Sequence, residues 1–453
     1  MKKLLLLSLI FIANSIQSQV VWQEYSTAQP NASTGMSNIS WIDANNVWIS
    51  NRCGTTGCTS IRRYSKSTDA GLTWSTAPIN LGPTSANLEI SYMHAVSNSI
   101  VYVSAFGTSG AVGGIWKTID GGATWNKQPS AVYNAATSFP NLVHFWGDIG
   151  VTMGDPLAGG GFEMYRTING GTTWTPISGL PATLGDNEYG YTASFTTFGN
   201  SIWINTAYGR LLRSSDQGAT WTIVQTPIVD FGGQVNGTET ADVDFQDENN
   251  GILISSTYNS WKTTDAGTTW TPVLYNGTIR GNGIARVSGL PNTYFCFGTD
   301  AVNDDVTLFR GSSFTTDNGL NWVNVNDTYD SSYVRANFAS FYSPTAGLAG
   351  GFSTNPTTGG IFKFLGLPSL ANSSFSTAAF TVSPNPTSDK LNLSGANINQ
   401  VQITDILGKV VFNNSYSALS NVVLSIAEFT SGMYMVKVTN NEGISSVVKV
   451  AKQ

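Results

Sequence analysis

One eight-residue signature recurs six times along the chain at an almost constant interval. The copies are Ser67-Thr-Asp69-Ala-Gly71-Leu-Thr-Trp74, Thr118-Ile-Asp120-Gly-Gly122-Ala-Thr-Trp125, Thr167-Ile-Asn169-Gly-Gly171-Thr-Thr-Trp174, Ser214-Ser-Asp216-Gln-Gly218-Ala-Thr-Trp221, Thr263-Thr-Asp265-Ala-Gly267-Thr-Thr-Trp270 and Thr315-Thr-Asp317-Asn-Gly319-Leu-Asn-Trp322. Their tryptophans lie 51, 49, 47, 49 and 52 residues apart. A unit of this size must stack on its neighbours to bury its apolar face. A period near 50 with strand-like runs between copies predicts the blade of a β-propeller.

Each copy is expected to close a hairpin. Runs such as Gly114–Thr118 and Phe162–Thr167 precede the box, and Trp-Thr-Pro-Val or Trp-Thr-Ile-Val follows it. The Asp carboxylate accepts backbone N–H bonds and fixes the turn. The Gly permits positive φ, and the Trp sets a large ring where sheets pack. The roles of Asp69, Asp120, Asn169, Asp216, Asp265 and Asp317 are therefore read as structural. Asn169 keeps an accepting oxygen, so its turn should survive.

Two further strands fill each period, as in Glu89–Val96 with Ile100–Ala105, or Ala241–Phe245 with Gly251–Ser255. After Trp322 the chain still offers three strands, within 333–341, 346–351 and 360–364, but no box. The missing fourth strand is assigned to Val20–Glu24, with Trp22 in the place of a box tryptophan. That closes a ring and leaves no edge. Residues 20–366 shared among seven blades give about 50 each, matching the period. The expectation is an all-β chain: a seven-bladed β-propeller over 20–366, closed by an N-terminal strand. A linker over 367–378 leads to a small antiparallel β-sandwich over 379–453, where seven short alternating strands are read.

Residues 1–19 read as a signal peptide: Lys2 and Lys3, an apolar core Leu4–Ala13, then small or polar residues. The apolar run is too short to span a bilayer comfortably, and no longer one follows. No transmembrane segment is expected. Charged residues make up 11% and the formal net charge is −6, which argues against a nucleic-acid partner. In an oxidising compartment, Cys53 and Cys58 are expected to form a disulfide across a glycine-rich loop. Cys296 alternates with aromatics and is read as a buried strand residue.

The box resembles the Asp-box, or bacterial-neuraminidase, repeat of sialidases, sortilin-type receptors, some endoglucanases and photosystem assembly factors with seven-bladed rings. The tail resembles the C-terminal sorting domain of the type IX secretion system of Bacteroidetes. The matching residues are Ser383-Pro-Asn-Pro386, Asp405-Ile-Leu-Gly-Lys409, Gly432-Met-Tyr434 and Val447–Lys452. That second resemblance implies passage through the periplasm. It also implies handling by the type IX machinery, then release or attachment at the outer-membrane surface. Sialidase chemistry is not expected. There is no Arg-Ile-Pro, and Arg52, Arg62, Arg63 and Arg210 match no arginine spacing of that family.

Propeller ligands are expected on the loops that enter each blade and on those joining its second and third strands. Tyr189, Tyr191, Tyr208, Arg210 and Tyr258 are the candidate binding residues, for a glycan or an envelope protein. Glycoside hydrolysis needs two facing carboxylates. Asp155 and Glu188, from successive blades, are the candidate pair, against the bland alternatives of a turn carboxylate and a solvated loop residue. His94 and His144 are read as satisfied core or channel residues. No metal and no cofactor is expected. The leading function is a secreted or surface-displayed binding module. A polysaccharide-active hydrolase or lyase and an envelope assembly or scaffolding factor are the alternatives.

Overall fold

The computed structural model describes residues 21–54, 61–135, 137–157, 160–185, 188–235, 239–298, 311–325, 338–367, 380–406, 409–441 and 445–453. The signal-peptide reading, Cys58 and most of the linker lie outside them. The chain divides into two compact units, Met1–Gly366 and Leu367–Gln453.

In the first unit each period folds into a four-stranded antiparallel sheet, read from the axis outward. Blade 1 runs Thr34–Trp41, Val47–Cys53, Arg63–Ser67 and Ser75–Pro78. Blades 2 to 6 begin with the inner strands Leu88–Ala95, Pro140–Trp146, Gly190–Phe198, Ala241–Phe245 and Gly283–Arg286. Each adds three strands in sequence order. Blade 7 contains Ala339–Ser343, Ala346–Asn355 and Thr358–Phe364, and its outer strand is the N-terminal Trp22–Ser26. Trp22 pairs with Phe364 and Ser26 with Gly360. The ring is seven-bladed and closed by its first strand.

The core lies between blades. Trp48, Tyr64, Trp116 and Trp125 fill the space between blades 1 and 2, and Trp203, Leu211, Phe245 and Leu253 that between blades 4 and 5. Between blades 6 and 7, the ring of Trp22 sits 5.3–5.8 Å from Phe295, Phe297, Phe341 and Phe364. Its Nε1 donates to Ser312 Oγ at 3.1 Å, whereas five of the six box tryptophans donate to the glycine carbonyl of their own box.

The boxes are built as local chemistry dictates. In the second, Thr124 donates its amide and hydroxyl to Asp120, at 2.9 and 2.6 Å, and the Thr118 hydroxyl donates at 2.7 Å. In the third, Asn169 accepts from Thr173 N and reverses one bond, donating Nδ2 to the Thr173 hydroxyl at 2.9 Å. One feature exceeds the sequence expectation. The residue after the acid also has positive φ, between 55° and 71°, in all six copies, including Ala70, Gln217, Ala266 and Asn318. Two consecutive left-handed residues turn that carbonyl toward the preceding blade. There it accepts from Lys363 (Ala70 O), Tyr64 and Lys66 (Gly121 O), Tyr102 and Lys117 (Gly170 O), Arg166 (Gln217 O) and Trp203 (Ala266 O).

The second unit is a five-stranded antiparallel assembly rather than seven short strands. The runs at 391–393 and 401–405 belong to one strand, Lys390–Asp405, and those at 410–412 and 422–426 largely to another, Val410–Ser425. Register shifts near Ser394–Gln400 mark where the long strands turn from one side of the sandwich to the other. Leu391, Leu393, Val401, Ile403, Val436, Val438 and Val450 form its interior. No helix of the described residues is long and apolar enough to cross a membrane.

Candidate functional site: the loop face and the axial channel

Two faces of the ring are distinguishable by their hydrogen bonds. On one, each box amide bonds to the turn joining the first and second strands of its own blade, as in Gly121 N to Ser99 O and Gly170 N to Asp148 O. On the other, the incoming loops bond to the turns joining the second and third strands, as in Ala207 N to Tyr189 O and Ser256 N to Thr240 O. This loop face carries the candidate residues.

Glu188 does not behave as a solvated loop residue. It is fully buried, and both oxygens are held by the Arg210 guanidinium. Leu184 N and the Thr206 hydroxyl complete its shell at 2.6 and 3.0 Å. A buried carboxylate bound this way is an anchor for the loop before blade 4. It has no surface to offer a substrate, and Arg210 is committed to it. Asp155 sits in a different network, accepting from Asn141 Nδ2 at 2.6 Å and Gly190 N at 3.2 Å. Burial pushes its carboxyl up to about 6 despite those two bonds. The expected two-carboxylate arrangement is thus replaced by a structural ion pair and a separate, half-buried acid.

The tyrosines remain on the surface in part. Tyr189 and Tyr191 meet edge to face at 5.4 Å, and the Tyr191 hydroxyl donates to Asp230 at 2.5 Å. Tyr208 and Tyr258 occupy equivalent positions between the second and third strands of blades 4 and 5. Both have positive φ, 66° and 64°. Among the described residues they are the only aromatic ones at non-glycine positive-φ positions. A bulky side chain there is strained, since Gly or Asn fits the left-handed region better. The Tyr275 hydroxyl donates to Tyr258 O at 2.8 Å, which extends the aromatic row.

The axis is a channel of about 610 Å³ lined by the inner strands of all seven blades. Side chains strap these strands together. Asn38 exchanges two bonds with the backbone of Met93, and Ser40 accepts from Ala95 N. Asp242 accepts from Ile284 N, and burial raises its carboxyl to about 7. Asp244 pairs with Arg286 at 2.7 Å and accepts from the Thr196 hydroxyl. The sequence does not single out this Asp244–Arg286 strap. Its only signal was alternation, Asp-Val-Asp, on an inner strand facing Arg286 on the next.

Cys53 is disulfide-bonded, and Cys296 is a buried free thiol.

Comparison with known proteins agrees with the two-part architecture. Residues 381–453 match the family described as the secretion system C-terminal sorting domain. The tail is therefore a type IX sorting domain, which marks the chain for secretion. A xyloglucanase from a Paenibacillus species is 26% identical over 250 residues, 46% of this chain and 23% of that protein. The chain thus spans about a quarter of that relative's length. Among solved structures, YCF48 bound to D1 peptide is similar at a TM-score of 0.50 and 14% identity, over 76% of this chain and 96% of that one. A GH74 enzyme of Niastella koreensis, also 14% identical, covers 91% of this chain and 69% of its own at a TM-score of 0.27. The propeller fold is shared with the first of these structures.

Proposed function

We propose that the propeller is a secreted or surface-displayed glycan-binding module whose ligand lies along the loop face of blades 4 and 5. The observation that carries this reading is the pair of tyrosines at positive φ, Tyr208 and Tyr258, one blade apart. Strained backbone persists where the surroundings over-determine it, and it clusters at ligand sites. Two rings on one open face, beside the Tyr189–Tyr191 pair, give a row of flat apolar surfaces edged by hydroxyls. Sugar rings stack on such surfaces. The partial relationship to a xyloglucanase supports a β-linked polysaccharide as the ligand class.

Hydrolysis is the second reading, and one feature favours it: Asp155 lies half-buried on the loop face with its carboxyl pushed up to about 6 by burial, toward the range of a general acid. It lacks a second available carboxylate in Glu188. Export by the type IX route, first through the periplasm, accords with the tail.

The test is a titration of the protein against soluble oligosaccharides of xyloglucan, cellulose and other β-glucans, with reducing ends counted in parallel. Saturable binding without new reducing ends is the expected result. Release of product that Asp155→Asn abolishes favours the hydrolase, and binding to envelope proteins but to no glycan overturns the ligand class.

A further inference from the structure

The chain contains only two histidines in 453 residues. They are 50 positions apart in sequence, on the inner strands Leu88–Ala95 and Pro140–Trp146 of adjacent blades. The fold brings them face to face. Their ring centroids are 4.6 Å apart with planes at 75°. Both line the axial channel. No hydrogen bond from a protein group to either ring is found among the described residues.

We propose that His94 and His144 form a two-imidazole site in the channel for a borderline divalent transition metal such as Cu²⁺, Ni²⁺ or Zn²⁺. Imidazole nitrogens suit these ions, with metal–nitrogen bonds of about 2.0–2.1 Å. At that length, two imidazoles in neighbouring positions on one ion have ring centres about 4.5 to 5.2 Å apart. The observed separation falls in this range. No third His, Cys, Asp or Glu joins the pair among the described residues, so any further ligands of the ion would have to come from solvent or a bound molecule. Asp148, the neighbour in sequence, lies beyond the end of the inner strand, at the turn whose carbonyl receives Gly170 N.

Aromatic rings flank the pair. Trp146 and Phe195 pack on His144 at 4.5 and 5.8 Å, and Phe145 lies 6.1 Å from His94. The channel that both rings line has a volume of about 610 Å³.

The scarcity of histidine makes the experiment clean. Untagged protein is titrated with Cu²⁺ at micromolar concentration and read by electron paramagnetic resonance. The expected result is one copper per chain with hyperfine coupling to two imidazole nitrogens. His94→Gln and His144→Gln should each reduce the pattern to one nitrogen and weaken binding at least tenfold. Thermal melts confirm that the variants fold, and the wild-type spectrum stands without them. A wild-type spectrum with one imidazole nitrogen or none, or no stoichiometric binding at micromolar copper, overturns the site. So does unchanged affinity in the folded double variant.

Discussion

At the scale of single residues, the box does two jobs with one turn. The acid closes the turn, and the left-handed residue after it aims a carbonyl at the preceding blade. Where that residue is alanine, it carries a backbone penalty of about 1 kcal/mol that glycine avoids. Two natural copies already have glycine there, Gly121 and Gly170. Ala70→Gly should therefore raise stability by roughly 0.5–1 kcal/mol, seen as a higher Tm, provided the Lys363 bond to its carbonyl remains. The acid itself sets an acid limit. Hydrogen bonds from the Thr124 hydroxyl and amide, then from the Thr118 hydroxyl, hold Asp120 at about 2, below its ordinary 3.8. A lowered pKa in the fold means its stabilisation is complete above about pH 4 and is lost as pH falls toward 2. Asp120→Asn should keep the turn, as Asn169 does, and remove its share of that acid sensitivity. Asp120→Ala should lower the Tm at pH 7 by more than Asp120→Asn, and melts at pH 7 and pH 3 check both.

At the scale of elements, the outer strand of blade 7 decides whether the ring closes. Trp22 is 3% exposed and packed by four phenylalanine rings. Trp22→Ala should cost about 3–5 kcal/mol, measured by denaturant unfolding. It should also loosen Trp22–Ser26 from Thr358–Phe364, read as faster amide exchange along that edge. This closure was legible in the sequence, because three strands without a box demand a fourth and only the N-terminus offered one. The blades were legible because each box is local and its period is constant. The loop anchors and the contacts between blades were not. The Glu188–Arg210 pair joins residues 22 apart through a loop whose path no periodicity fixes. The Asp244–Arg286 strap depends on how far two inner strands lie from the axis. The tail's strands were found but cut in half, since a long strand that turns at Gly395 and Asn397 looks like two short ones; Asn397 has positive φ.

At the scale of the whole molecule, the tail carries the export signal, and the proposed recognition belongs to the ring. The sorting domain is a self-contained sandwich with its own core. The ring supplies a rigid frame on which two strained tyrosines are held in equivalent positions. The most direct measurement of the central claim is the double substitution Tyr208→Asn with Tyr258→Asn, followed for both Tm and affinity for the best β-glucan oligosaccharide. Asparagine accepts the left-handed backbone more readily than tyrosine. If the rings are kept for ligand, the variant should melt no lower than the wild type and bind at least tenfold more weakly. Unchanged affinity in a folded variant, or a lower Tm with affinity intact, would contradict the account.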